Sequence, residues 1–294
     1  MQSFKFSGHE TFTCKLFWPK KGVDFLLGGH SFNEEDAVVQ LGVGKNMVSS
    51  IRFWLKAFGL VDEEDNLIEL ARMIFEDDGY DPYLEDIGTI WLLHYLLVTQ
   101  NYASVYNLVF NHFLKERNEF TKNHLVGFLK RITGNRNFNS YSEKTFEPDV
   151  SVFLRSYLAS SRASAKANIE EEFASLFIDL QLIERVVKTD DELAKEEFYL
   201  MSKKKRPSLP PLILLWAVVS KYGTEANITL NELFSDNNSI GNVFLLSKDD
   251  IYEKMEIIAA KYPQVTFSQT AGNYLLHLDK APDTLQLIRN YYEK

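Results

Sequence analysis

The sequence predicts a mainly α-helical protein: an N-terminal winged helix-turn-helix at about 32–72, a central helical region and a C-terminal winged-helix-like domain. Three observations predict it. Met47, Val48, Ile51, Trp54, Leu55 and Phe58 repeat with the spacing of one helical stripe. Gly42 and Gly44 bracket Val43 just ahead of that stripe, where two crossing short helices need a tight turn. A second succession of helical patterns, ending in an alternating stretch, closes the chain.

The first chemistry-bearing segment is FSGHETF, Phe6 to Phe12. His9 beside Glu10 joins an imidazole to a carboxylate, a usable general base or metal-ligand pair. The second histidine of H-E-x-x-H is absent, so this is no metalloprotease motif. Two readings stay open: chemistry, or hydrogen bonds that tie down the N-terminal segment.

Asn33 is placed to cap a helix with Glu34, Glu35 and Asp36 in its first turn and Ala37, Val38 and Leu41 facing inward. The following helix sets Lys45, Asn46, Ser49, Ser50, Arg52 and Lys56 beside its apolar stripe. Donors for phosphates and base edges on one side and core contacts on the other are what a recognition helix needs. Gly59 ends it, and Leu60-Val61 with Leu67-Ile68 flank the polar tip DEEDN as a short wing. Asp62, Glu63, Glu64 and Asp65 on that tip would be repelled by a phosphate backbone. Either the wing points away from DNA or the module binds something else.

DPYLEDIGTIWLLH, Asp81 to His94, is the second candidate. Asp81, Glu85 and Asp86 would gather oxygen ligands for Mg²⁺ or Mn²⁺ near a helix start. Asp81 as N-cap and Pro82 at the first helical position account for the same residues without a metal. His94 shares a face with Ile87 and Trp91, as a core histidine or a third catalytic candidate beside His9 and Glu10. From Lys115 to Arg136 runs a basic stretch whose Lys130 and Arg131 are candidates for phosphate contact.

The first zone ends near residue 136; a helical middle region and linker spans 137–206, and a C-terminal domain occupies 207–294. In the middle, FNSYSEKTFEPD reads as a loop, SSRASAKANIEEE as a mobile link, and a helix is expected around Phe173 to Ile183. Lys203, Lys204, Lys205 and Arg206 read as a flexible basic linker before Pro207. A helix from about Leu209 to Tyr222, the short helical segment ITLNELF, a long helix capped by Ser247 and a hairpin in VTFSQTAGNYLLHLD follow. Asp249, Asp250, Glu253 and Glu256 on the long helix argue against a DNA-reading face there.

Composition bounds these readings. With 294 residues the chain can bury a large core, and a net charge of -9 excludes a generally basic nucleic-acid coat. Cys14 stands alone, which excludes an intrachain disulfide and every multi-cysteine metal site. The absence of a signal peptide pattern and of a membrane-length apolar run points to a cytoplasmic protein without membrane contact. No P-loop, dinucleotide-binding glycine pattern, nucleophile elbow or RNA-binding aromatic signature is present.

FSGHETF, then LGVGKNMVSSIRFWLKAFGL, then DPYLEDIGTIWLLHYLL, in this order, resemble a bacterial domain-of-unknown-function family encoded beside DNA phosphorothioation genes in Ssp-type systems. The resemblance is specific over the first hundred residues and looser afterwards. It implies a DNA-binding component of an anti-phage system that replaces backbone oxygen by sulfur, with DNA nicking as its activity. Its implied partners are double-stranded DNA and other phosphorothioation proteins, and a homodimer is compatible with it. The alternative is a non-enzymatic winged-helix protein that binds DNA, regulates or scaffolds. His9, Glu10, Asp81, Glu85, Asp86, His94, Lys45 and Arg52 lie in the matching motifs.

Overall fold

A computed structural model describes residues 4–134, 143–159, 175–186, 197–270 and 273–293. These residues are mainly helical and carry two small antiparallel sheets of three strands. Two compact units divide the chain: Met1–Asp86 with Leu96–Met201, and Ile87–Tyr95 with Ser202–Lys294. Of the stretch 137–206, the described elements up to Met201 fall in the first unit.

The first unit starts with α1 (Trp18–Leu27), which buries Trp18, Val23 and Phe25. Then comes α2 (Ala37–Leu41), shorter than the sequence suggests. Residues 31–36 coil into turns, with the Glu34 N–H bonded to the Ser31 carbonyl, so Glu34, Glu35 and Asp36 precede the helix instead of forming its first turn. Ala37 and Leu41 face inward as expected, whereas Val38 and Val39 are turned to solvent. Gly42 at φ 62° stops the helix in the left-handed region, the role that suits glycine.

α3 (Lys45–Ala57) follows and packs against α1 and α2. Its buried residues include the anticipated Val48, Ile51, Trp54 and Leu55, but also Ser50, Phe53 and Ala57. The helix is covered around most of its circumference because the N-terminal segment lies on its second face. A tight turn closed by a Val61–Leu67 bridge leads to α4 (Glu69–Phe75). α5 (Ile87–Gln100) begins five residues later than a start at Pro82 would give, because Leu84 at φ 59° breaks the helical path.

α6 (Ser104–Asn111), β1 (Glu119–Thr121), α7 (Lys122–Gly134) and α8 (Glu143–Tyr157) continue the chain. The expected loop FNSYSEKTFEPD is helical from Glu143 onward. The expected link SSRASAKANIEEE lies outside the described residues. The expected helix around Phe173 to Ile183 is, over its described part, a single 3-10 turn at Ile178–Leu180 ended by Gln181 at φ 50°. The chain then extends into β2 (Glu184–Val186), which pairs with β3 (Phe198–Leu200), and β3 pairs with β1 on its other side. Trp54, Tyr106, Phe110, Phe153, Tyr157 and Phe177 are fully buried in this unit. A buried ring of this size contributes on the order of 1.5–3 kcal/mol over its exposed state.

In the second unit, α9 (Pro211–Tyr222) is followed by β4 (Ala226–Thr229) and α10 (Leu230–Ser235). ITLNELF is therefore strand up to Thr229 and helix after it. Thr229 and Glu232 form a reciprocal capping box, which places the break between the two. α11 (Ile240–Val243) precedes α12 (Lys248–Lys261), where Ser247 accepts from the Asp250 N–H as the anticipated cap. β5 (Val265–Thr270) and β6 (Asn273–Leu278) pair antiparallel, β4 joins the far edge of β6, and α13 (Thr284–Tyr292) packs on α9.

The Lys203–Arg206 cluster is not a flexible linker. Lys203 donates to the Phe234 carbonyl and Asn242 at 2.7 and 2.8 Å, Lys204 bridges to Leu246, Lys205 pairs with Glu253, and Arg206 is buried. Among the described residues, no helix is long and apolar enough to cross a membrane.

Candidate nucleic-acid interface

Lys45, Asn46 and Ser49 are exposed at the start of α3. Lys45 directly follows the N-cap Gly44, so α3 carries a cation and no acid in its first turn, against the preference of the helix dipole for negative charge there.

Further along, the same helix is not a free basic face. Arg52 donates from Nε to Asp65 Oδ1 at 3.1 Å, its Nη2 lies 2.6 Å from Asp65 Oδ2, and its Nη1 donates to Asn33 at 3.0 Å. Lys56 lies 3.1 Å from Asp65 and donates to the Glu63 carbonyl at 2.7 Å. The acidic tip therefore folds back onto α3, with Asp65 held at φ 69° to make the reach. Asp62 closes the turn: its carboxylate accepts from the side chain and backbone N–H of Asn66 and from the Glu64 N–H. Those bonds, the Asn66 side chain foremost, hold the Asp62 carboxyl below its usual range.

Ser50 is not part of the face. Its side chain is fully buried and donates to the His9 carbonyl at 3.0 Å. Arg131 is bound to both carboxylate oxygens of Glu116 at 2.6 Å, while Lys130 is exposed on α7.

FSGHETF forms a latch. Ser7, Gly8, Glu10 and Thr11 all have positive φ, which winds the segment tightly around His9. His9 is 3% exposed; its Nδ1 accepts from the Thr11 N–H at 3.1 Å and its Nε2 faces Asp149 Oδ1 at 2.9 Å. An acceptor role at Nδ1 requires the proton on Nε2, so this ring donates to Asp149 and has no lone pair left for a substrate. Asp149 also accepts from the Ser7 N–H. The Trp54 indole and Arg155 bond the carbonyls of Phe12 and Thr11. The general-base expectation for His9 gives way to a structural tie. Glu10 projects to solvent beside it.

His94 is fully buried and hydrogen-bonded to the Val243 carbonyl at 2.7 Å, between Trp91 and Phe244. Burial lowers its pKa to about 4, so it is a neutral core residue and not a solvent-reaching catalyst. Asp81 is also buried, and its two oxygens accept from the Glu85 and Asp86 N–H groups at 2.8 and 3.1 Å. It caps the turn that leads into α5, and the Glu85 side chain is exposed, so the three carboxylates do not converge. Among the described residues, no three His, Cys, Asp or Glu side chains gather where they would hold a metal ion. The residues expected to bind Mg²⁺ or Mn²⁺ do not fit that role here.

Sequence reasoning missed Asp149 and the inward role of Asp65. Asp149 lies 140 residues from His9, and no local pattern announces the pairing. The αL conformation of Asp65 is one that Asp tolerates, a weak signal within DEEDN.

No curated protein matches the sequence. Two solved structures do, both 26% identical, each covering 99% of this chain and 88% of its own: an SspB crystal structure with a TM-score of 0.84, and a magnesium ion-bound SspB crystal structure with a TM-score of 0.85. The model of the family described as protein of unknown function DUF4007 matches residues 6–292. With nearly its whole length matched, this chain belongs to the DUF4007 family.

Proposed function

We propose that this chain is a DNA-binding component of an SspB-type phosphorothioation system, with the exposed start of α3 as its DNA-facing surface. The observation that carries the reading is the likeness to SspB across 99% of this chain. The order of α1, α2, α3 and the Val61–Leu67 turn suits a winged helix-turn-helix, a reading in which α3 would dock in a major groove. In the second unit, the order helix, strand, three helices and hairpin from Pro211 onward suits a second winged helix. Its partners in this reading are double-stranded DNA and the other proteins of the system.

Gel-shift titration of the full chain with duplex DNA at low salt tests it. Retardation that Lys45→Glu weakens is expected, with a shallower salt dependence. No retardation by the natural sequence would sink the reading.

Nicking is the second reading, and the magnesium-bound SspB structure favours it. The residues of this chain that could hold such an ion are not gathered among those described, so no step is assigned through it. Supercoiled plasmid incubated with the full chain and Mg²⁺ or Mn²⁺ decides between the two. Open-circle product supports nicking; intact supercoils with retained DNA binding support the non-enzymatic alternative.

A further inference from the structure

Away from α3, the first unit holds a second cationic concavity of about 190 Å³, lined by Lys122, Ser151, Arg155, Arg185, Glu197 and Tyr199. Secondary structure fixes all of them but Glu197, which directly precedes β3. Lys122 opens α7 directly after β1, Ser151 and Arg155 sit one turn apart on α8, and Arg185 on β2 stands opposite Tyr199 on β3. Three cations meet one carboxylate here, in a chain whose net charge is -9.

The single carboxylate is already engaged, since Glu197 accepts from the Tyr199 hydroxyl at 2.6 Å. Arg155 is held by two backbone carbonyls, Nε on Ser151 at 3.3 Å and Nη2 on Thr11 at 2.6 Å, which orients its guanidinium and leaves further N–H donors. Neither Lys122 nor Arg185 forms an ion pair among the described residues. Lys122 stands at the positive end of a 13-residue helix with no acid in its first turn, a placement that works against stability. Local rules broken without a structural gain mark functional positions. Leu154 and Leu158 form the apolar wall, which strengthens charge interactions beside them.

We infer that this cavity is a phosphoryl-oxyanion site that takes one tetrahedral phosphate group. Two guanidinium forks and an ammonium suit the three-fold spread of oxygens on such a group. The volume is below the roughly 300–1,000 Å³ of pockets for drug-sized ligands, which fits a single charged group. The phosphate can belong to a nucleic acid or be free; both present the same oxygens. The inference does not depend on α3, because none of the lining residues belongs to it.

The test uses the full chain with inorganic phosphate, followed by ³¹P line broadening, and compares Lys122→Ala and Arg185→Ala. These side chains are not core residues, and circular dichroism melts verify that both variants fold. Saturable binding weakened about tenfold or more by either substitution is expected. Lys45→Glu leaves phosphate binding unchanged, which separates this cavity from the α3 surface. Anisotropy with 5′-phosphorylated and 5′-hydroxyl oligonucleotides of one sequence distinguishes the sources. Binding that needs the 5′-phosphate and Arg185 assigns a terminal phosphate, and binding that needs Arg185 alone assigns a backbone phosphate. Inorganic phosphate and oligonucleotides that bind the variants as well as the natural sequence, or bind neither, overturn the proposal. So does a poly-glutamate peptide that binds where phosphate does not.

Discussion

Asp65 and Arg52 form a two-point ion pair, Oδ1 to Nε at 3.1 Å and Oδ2 to Nη2 at 2.6 Å, and the same carboxylate lies 3.1 Å from Lys56. The acidic turn thus neutralises two of the three basic side chains between Leu41 and Phe58. Any DNA contact by α3 as it stands begins from Lys45, Asn46 and Ser49, at the exposed end of the helix.

Asp65→Asn follows directly from that pair. Asparagine tolerates the left-handed backbone at φ 69°, so the turn is kept while the charge is lost. Arg52 and Lys56 are then released, and in the proposed DNA-binding reading duplex affinity rises. The log–log salt slope steepens by roughly 0.9 for each cation that reaches a phosphate. The turn loses its anchor at a cost of about 1 kcal/mol. Salt-dependent shift assays on both proteins measure this, and an unchanged slope would remove Arg52 and Lys56 from the interface.

His9→Ala tests the latch. The substitution leaves Asp149 buried without its imidazole partner and frees the Thr11 N–H, a loss of about 2–3 kcal/mol. Amide hydrogen exchange at Ser7 and Thr11 speeds up before the rest of the first unit opens. If nicking is observed in the natural protein, its loss in this variant should track the folded fraction. A fully folded variant with no activity would restore a catalytic role to His9.

Gly8→Ala strikes the same segment through the backbone. Gly8 sits at φ 97°, and an added Cβ would come within 2.9 Å of the Phe53 ring. Strain and overpacking together cost about 2 kcal/mol or more. A drop in denaturation midpoint without a change in the denaturant slope is the expected result; an unaltered midpoint would mean that the latch adapts.

How far the fold was legible follows from the range of the interactions involved. α3, α9, Ser247 as the cap of α12 and the β5–β6 hairpin are written in local periodicity or in a capping residue, so one window of sequence reveals them. The β1–β3–β2 sheet is not, because each strand has three residues and Phe120 meets its partner Tyr199 from far along the chain. Candidate residues fared the same way. Lys45 is exposed as its helical position implies, but the roles of His9 and Arg52 depend on Asp149 and Asp65, which only the folded chain brings to them. Asp81 was ambiguous for another reason: a carboxylate at a helix approach serves backbone N–H groups or a metal equally well, and here the Glu85 and Asp86 N–H groups occupy it.

His94 makes stability depend on pH with a definite sign. Its pKa falls from 6.5 to about 4 on folding, chiefly because the charged ring would lose its water, with Arg206 adding repulsion. The folded state therefore prefers the neutral ring. Above pH 6.5 both states are neutral and the full stability is present; as pH falls from 6.5 towards 4, the unfolded chain takes up a proton that the folded chain refuses. Stability drops over that window by up to about 3 kcal/mol, at a limiting rate near 1.4 kcal/mol per pH unit. His94→Gln keeps an N–H donor for the Val243 carbonyl but cannot titrate, so it flattens this part of the profile even if it lowers stability at pH 7. Urea denaturation of both proteins at pH 7 and pH 4.5 isolates the difference from the carboxylates, which titrate in each. Parallel losses in the two proteins would show that His94 is not held neutral by burial.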